Sequence, residues 1–189
     1  MGVSAAETAA SVLRKCAAKI DAQPSVVASF VISGQDGPVN GEITLAKAAF
    51  AMSTPQIKVW YDGRTQWTYL SASGEVSITE PTAAELMESN PFTIFTNFES
   101  HYKTRLVKAP AGSKAVELTP LSGSALGIRR AVVTINSATG YPAAVSVTFT
   151  NGQEIKAQIS KIAPGKKLPA SYFRFDNKKY PAAEIIDLR

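Results

Sequence analysis

The chain is poor in the residues that do chemistry. Its 189 residues include one cysteine, Cys16, and one histidine, His101. A single cysteine excludes an intrachain disulfide and any cysteine-based metal site. A lone histidine with no nucleophile motif beside it offers little to general acid–base catalysis. Gly123-Ser124-Ala125-Leu126-Gly127 misses the Gly-x-Ser-x-Gly elbow in register, and its flanks suggest a loop. Phosphate-cradling glycine loops, EF-hand spacing and His-Glu metal pairs are absent too, so no cofactor and no metal is expected. Nor does any apolar run approach the ~18 residues that cross a bilayer.

What is present describes a folded globular chain. Hydrophobic residues make up 45% and charged residues 19%, a balance that can bury a core and keep a wet surface. The length fits one domain, residues 1–189, with no linker, repeat or low-complexity tract to divide it. The net charge is +5, but the cations come as scattered pairs such as Arg129-Arg130, Lys166-Lys167 and Lys178-Lys179. Pairs without a stripe read as solvated surface, and no nucleic-acid partner is expected. Arg14-Lys15 before Cys16, with no apolar run ahead of it, argues against a lipidation box. Met1-Gly2 resembles a myristoylation start, yet Ala6 stands where Ser or Thr is wanted. The start reads as a mature-domain boundary, with a cleavable signal peptide expected upstream.

Periodicity predicts a helix over Ala5–Ile20, with Ala9, Val12, Leu13, Cys16 and Ile20 on its apolar face. Cys16 is therefore expected to be a buried structural thiol. Gln23-Pro24 ends the helix. Alternating segments then follow in quick succession, from Val26–Ser33 through Glu42–Leu45, Phe50–Met52, Gln56–Tyr61, Gln66–Leu70 and Glu75–Thr79. After an interruption they resume at Arg105–Val107 and Ala115–Leu118 and continue with Arg129–Asn136. Asn151-Gly152 between two alternating runs is a hairpin signal, and Tyr172–Phe175 and Glu184–Ile186 close the pattern. About a dozen strands with short connections imply an antiparallel sheet. Such a sheet must curl, and apolar helices are the natural cover for its open face.

The interruption after Thr79 is the most informative stretch. Thr82-x-x-Glu85 fits a capping box that opens a short helix through Leu86 and Met87. Asn90-Pro91 reads as an N-cap followed by proline at the first helical position, and Phe92, Ile94, Phe95 and Phe98 follow without a charge. A helix this apolar needs burial on most sides. Trp60, Trp67 and Tyr69 stand on the strands just before it. Any one of these aromatics is an ordinary core residue by default. As a set, a sheet and a helix facing one another suggest a greasy space that holds a hydrophobic ligand. Strand alternation sends Trp67 and Tyr69 to one face, and Trp60 is open to either because Val59 and Tyr61 are equally apolar.

The ordered set of segments resembles the LolA family of periplasmic outer-membrane lipoprotein carriers. The resemblance rests on the amphipathic first helix, the Phe30 strand, Gly41-x-x-x-Leu45, and Asp62-Gly63-Arg64-Thr65-Gln66-Trp67-Thr68-Tyr69. It continues in Asn90-Pro91-Phe92, Tyr172-Phe173-Arg174-Phe175 and Ile185-Ile186-Asp187. It implies a mainly β fold: a curved, unclosed antiparallel barrel covered by a lid of short α-helices. It implies a monomeric, non-enzymatic periplasmic carrier that holds the acyl chains of lipoproteins between an inner-membrane releasing complex and an outer-membrane acceptor. The expected ligand-binding residues are Trp60, Trp67, Tyr69, Leu86, Met87, Phe92, Ile94, Phe95 and Phe98. Where the family often has Arg-Pro leading into the third strand, this chain has Lys47-Ala48-Ala49-Phe50. Lys47 then stands at the lid-latch position with a point charge in place of a bidentate fork. Two other readings share the residues: a lipid- or lipoprotein-sensing regulatory module, and an enzyme on a hydrophobic substrate with His101 as base.

Overall fold

The computed structural model describes residues 6–34, 36–83, 85–86, 90–95, 98–121 and 127–189. Among them, helix α1 (Ala9–Asp21) leads to six strands: β1 (Ser25–Gly34), β2 (Gly37–Ala46), β3 (Ala49–Ser53), β4 (Ile57–Tyr61), β5 (Gln66–Leu70) and β6 (Glu75–Thr79). A 3-10 turn (Pro91–Phe95) and a one-turn helix α2 (Phe98–His101) interrupt the sheet. It resumes with β7 (Tyr102–Val107), β8 (Ser113–Pro120), β9 (Ile128–Asn136), β10 (Pro142–Phe149) and β11 (Glu154–Gly165). A second 3-10 turn (Ala170–Phe173) precedes β12 (Glu184–Asp187).

All twelve strands belong to one curved, unclosed sheet in the order β12-β6-β5-β4-β3-β2-β1-β11-β10-β9-β8-β7. Pairing is antiparallel throughout except at one edge, where β12 lies parallel to β6. The order explains the lid. β6 lies next to one edge and β7 forms the other, so the chain joining them must cross the open side of the half-barrel. That crossing segment is the one with the uncharged Phe-rich run.

α1 starts where its cap allows. Thr8 and Ser11 form a reciprocal capping box, each side-chain oxygen accepting from the other's backbone N–H at 3.1 Å. The helix therefore begins at Ala9 and not at Ala5 as the periodicity alone predicts. Its buried face is the expected one, and Leu13 and Cys16 are each 1% exposed. Burying Leu13 alone contributes about 2 kcal/mol. That face joins one core with Val26, Ala28 and Phe30 of β1, Val116 and Leu118 of β8, Val133 of β9 and Val145 of β10.

Burial pushes the Cys16 thiol up to about 12. Thiolate is the reactive form, so folded protein should alkylate with iodoacetamide at pH 8 at least roughly a hundred-fold more slowly than urea-unfolded protein. Equal rates in the two states would contradict the burial.

Two predicted elements differ from the structure. Tyr172–Phe175 is not a strand: it overlaps the 3-10 turn after Pro169, and no neighbouring strand offers it a ladder. The other difference lies within the segment expected as a helical pair over Thr82–Phe98. Its capping box forms, with the Thr82 N–H donating to Glu85 Oε2 at 2.7 Å and the Glu85 N–H donating to Thr82 Oγ1 at 3.3 Å. The Phe-rich part is a 3-10 turn in place of an α-helix. Asn90 sets it up as expected, its Oδ1 accepting the Phe92 N–H at 3.0 Å and its carbonyl accepting the Thr93 N–H at 3.1 Å.

Candidate functional site

Register decides which side chains meet the lid. Residues paired across strands share a face, and neighbours in sequence alternate. One cross-strand row runs Leu45, Phe50, Tyr61, Gln66. With Val26, Ala28, Ile43, Met52 and Val59, it belongs to the inner face, which packs against α1 and the lid. The next row runs Thr44, Ala51, Trp60, Trp67, Ile78 and faces the other way.

This corrects the expected site. Trp60, Trp67 and Tyr69 do share one face, but it is the outer face, on the far side of the sheet from the lid. There the C-terminal segment straps over them. Trp60 meets Phe175 at 5.6 Å and Tyr180 at 5.8 Å between ring centroids, and Tyr69 meets Tyr180 at 4.8 Å. Lys58 Nζ donates to Tyr180 Oη at 3.0 Å, and Arg174 pairs with Asp62 at 3.1 Å. The aromatics of β4 and β5 therefore fix the chain's C-terminal segment and do not prop open the space under the lid.

The described lid residues come together on the inner face. Phe92, Ile94 and Phe98 are buried at 4%, 1% and 4% exposure, and Phe92 packs on Phe30 with ring centroids 5.7 Å apart. Phe95 and Leu86 are half-buried against the same core. Met87 lies outside the described residues.

An apolar cleft of about 760 Å³ opens between this lid, the C-terminal half of α1 and the β2–β3 turn. Phe92, Phe95 and Phe98 line it from the lid, Ala17, Ala18 and Ile20 from α1, and Leu45 and Ala48 from the turn region. Charged groups sit among its lining residues: Arg14 and Asp21 on α1, Lys47 on the turn and Glu99 on α2. An apolar floor with a few polar groups is the usual make-up of a site for a hydrophobic ligand. The α1 contribution was missed in the sequence, although Ile20 was already legible on the helix's apolar face. Leu45 was missed as well, because alternation does not say which helix crosses a strand.

Lys47 lines the cleft, and its side chain forms no hydrogen bond or ion pair with a described residue. It holds the first position of the two-residue β2–β3 turn with φ 53°, the left-handed conformation that a glycine usually takes there. A different pair joins the lid to the body. Arg14 Nε lies 2.6 Å from Glu99 Oε1, linking α1 to α2. Both side chains are more than half exposed, so water screens the pair and it contributes under about 1 kcal/mol.

Two buried polar atoms near this region go unpaired, Asn90 Nδ2 and Tyr102 Oη. Burial also pushes the Tyr102 phenol up to about 12. A buried donor without a partner costs about 1–3 kcal/mol, and Asn90 places that cost within the lid. The lid is thus held by apolar packing, a weak ion pair and an incompletely satisfied cap.

His101 ends α2 half-buried, its ring 6.5 Å from that of Tyr102. Among the described residues no group of three or more His, Cys, Asp or Glu side chains could hold a metal ion, and no helix is long and apolar enough to cross a membrane.

A helix-covered apolar cleft on an unclosed half-barrel defines the architectural class. The chain belongs to the family described as outer membrane lipoprotein carrier protein LolA, whose model matches residues 2–153. A comparison with curated proteins finds no match by sequence. An uncharacterized conserved protein from Thermus thermophilus is similar in structure, with a TM-score of 0.62 at 13% identity, covering 95% of this chain and 98% of that one. At that identity the likeness concerns the fold. A LolA superfamily protein from Nitrosomonas europaea aligns at TM-score 0.48 and 13% identity, over 90% of this chain and 99% of that one. A putative outer membrane lipoprotein-sorting protein domain from Vibrio parahaemolyticus aligns at TM-score 0.49 and 12% identity, over 86% and 94%.

Proposed function

We propose that this protein is an exported, periplasmic carrier that shelters the acyl chains of lipoproteins in the cleft under its lid. It works as a monomer of one domain, taking cargo from an inner-membrane releasing complex and handing it to an outer-membrane acceptor, with no chemical step. The observation that carries this reading is the apolar cleft itself, with Phe95 half-buried at its wall beside Phe92 and Phe98. Family membership supports the same reading. So does the energetics of release. Each buried CH₂ contributes roughly 0.8 kcal/mol, so a fully enclosed long chain would bind too tightly to leave. An open cleft under a weakly fastened lid permits both capture and hand-over.

The test uses a fluorescent fatty-acyl probe with the wild-type protein and Phe95→Glu. An unpaired carboxylate in this apolar wall disfavours the probe, and affinity should fall at least ten-fold. Because Phe95 is only half-buried, the variant should still melt cooperatively near the wild-type temperature. Undiminished probe binding by folded Phe95→Glu protein would remove the cleft from the mechanism.

A further inference from the structure

A second cleft, of about 750 Å³, lies on the outer face between β2–β4 and the C-terminal strap. It is a different kind of space from the one under the lid. Thr44, Ala51 and Trp60 contribute from the sheet, and Tyr172 and Phe175 from the strap. Trp60 is half-buried, and Tyr172 is 44% exposed, so an aromatic ring is open to an incoming ligand. Charges of both signs also line the space, Glu42 and Asp176 against Lys58, Lys179 and Arg174, the last paired with Asp62 outside the cleft. The side chains of Glu42, Ser53, Asn177 and Lys179 make no hydrogen bond or ion pair with a described residue. The Thr44 hydroxyl is largely buried, and its contact with Tyr172 Oη is long at 3.5 Å.

We propose that this outer cleft binds a short neutral saccharide. Three alternatives fit the lining less well. An acyl chain would strip water from Glu42 and Lys179 with nothing to replace it. An anion meets Glu42 and Asp176, a cation meets Lys58 and Lys179, and Asp62 already offsets Arg174, so net charge on the ligand gains little. An extended peptide would use a free strand edge, but β2, β3 and β4 are each paired on both sides and present only side chains here. A sugar matches what remains. Its C–H face lies against an aromatic ring, and its hydroxyls, donors and acceptors at once, satisfy carboxylate, amide, hydroxyl and ammonium groups together. The proposal does not rest on the carrier reading, because the sheet separates the two clefts.

The experiment titrates the full chain with neutral tetrasaccharides of glucose and of N-acetylglucosamine, followed by intrinsic tryptophan fluorescence and calorimetry. Saturable binding of at least one is expected, weakened at least ten-fold by Tyr172→Ala and by Glu42→Gln. Both side chains are exposed, so both variants should keep the wild-type melting temperature and bind the fatty-acyl probe as the wild type does. The proposal is overturned if neither tetrasaccharide binds, if binding survives undiminished in both variants, or if an extended hexapeptide binds the cleft and the saccharides do not. Loss of probe binding with saccharide binding intact would count against the carrier reading alone.

Discussion

Replacing Gly41 by valine is expected to destabilise the protein by about 3 kcal/mol, at the upper end for overpacking. Gly41 lies on β2 opposite Phe30, and its backbone is not in the left-handed region, so the need for glycine is spatial. A Cβ at this position would stand 2.4 Å from Phe30 Cζ and 2.6 Å from Cε2, with the Ser53 carbonyl oxygen 3.0 Å away. Phe30 cannot step aside easily. It is 1% exposed and packed on Phe92, so the displaced ring pushes into the lid. Valine is a good strand residue, which removes backbone propensity as an explanation. The check is chemical denaturation of Gly41→Val, Phe30→Ala and the double variant. The pair should be less destabilised than the sum of the singles, because truncating Phe30 makes room for the new side chain. Additive losses would mean that the two sites do not meet.

Trp60→Ala is expected to cost about 2–3 kcal/mol, less than a fully buried tryptophan because the ring is half-exposed. Its loss should be felt far away in sequence. Trp60 meets Phe175 and Tyr180, and those two rings stack on each other at 5.4 Å, so the indole anchors the strap at two points. Amide hydrogen exchange should therefore rise across residues 169–183 and in β12, whose four residues are held by a parallel pairing at the sheet edge. Exchange in α1 and β1 should stay as in the wild type, and the fatty-acyl probe should still bind. If Trp60→Ala instead abolished probe binding while the strap kept its protection, the tryptophan would belong to the lid cleft after all.

Both outcomes turn on the division between what a one-dimensional pattern carries and what folding adds. The amphipathic helix, the strand segments other than Tyr172–Phe175, the Thr82–Glu85 capping box, the Asn90 cap and the Asn151-Gly152 hairpin were legible, because each depends on residues within a few positions of one another. The buried lid residues were legible for a similar reason: an uncharged run containing Phe92, Ile94 and Phe98 has nowhere to go but inward. The family was legible from the order of such segments.

Only the tertiary structure decided which face of the sheet is inside. Alternation has a period of two and assigns Trp67 and Tyr69 to a common face, but it is indifferent to which face that is. Around Trp60 even this signal is mute, since Val59 and Tyr61 are as apolar as the tryptophan between them. The choice came from contacts over long sequence distances. The lid and α1 occupy the face of Leu45 and Phe50, and Phe175 and Tyr180 return from the end of the chain to cover the other. The Arg14–Glu99 link, 85 residues apart, and the parallel seating of β12 on β6 arise in the same way. Local sequence sets the conformation of a segment. Its inward side is set by which distant apolar surfaces can be buried together, a property of the whole chain.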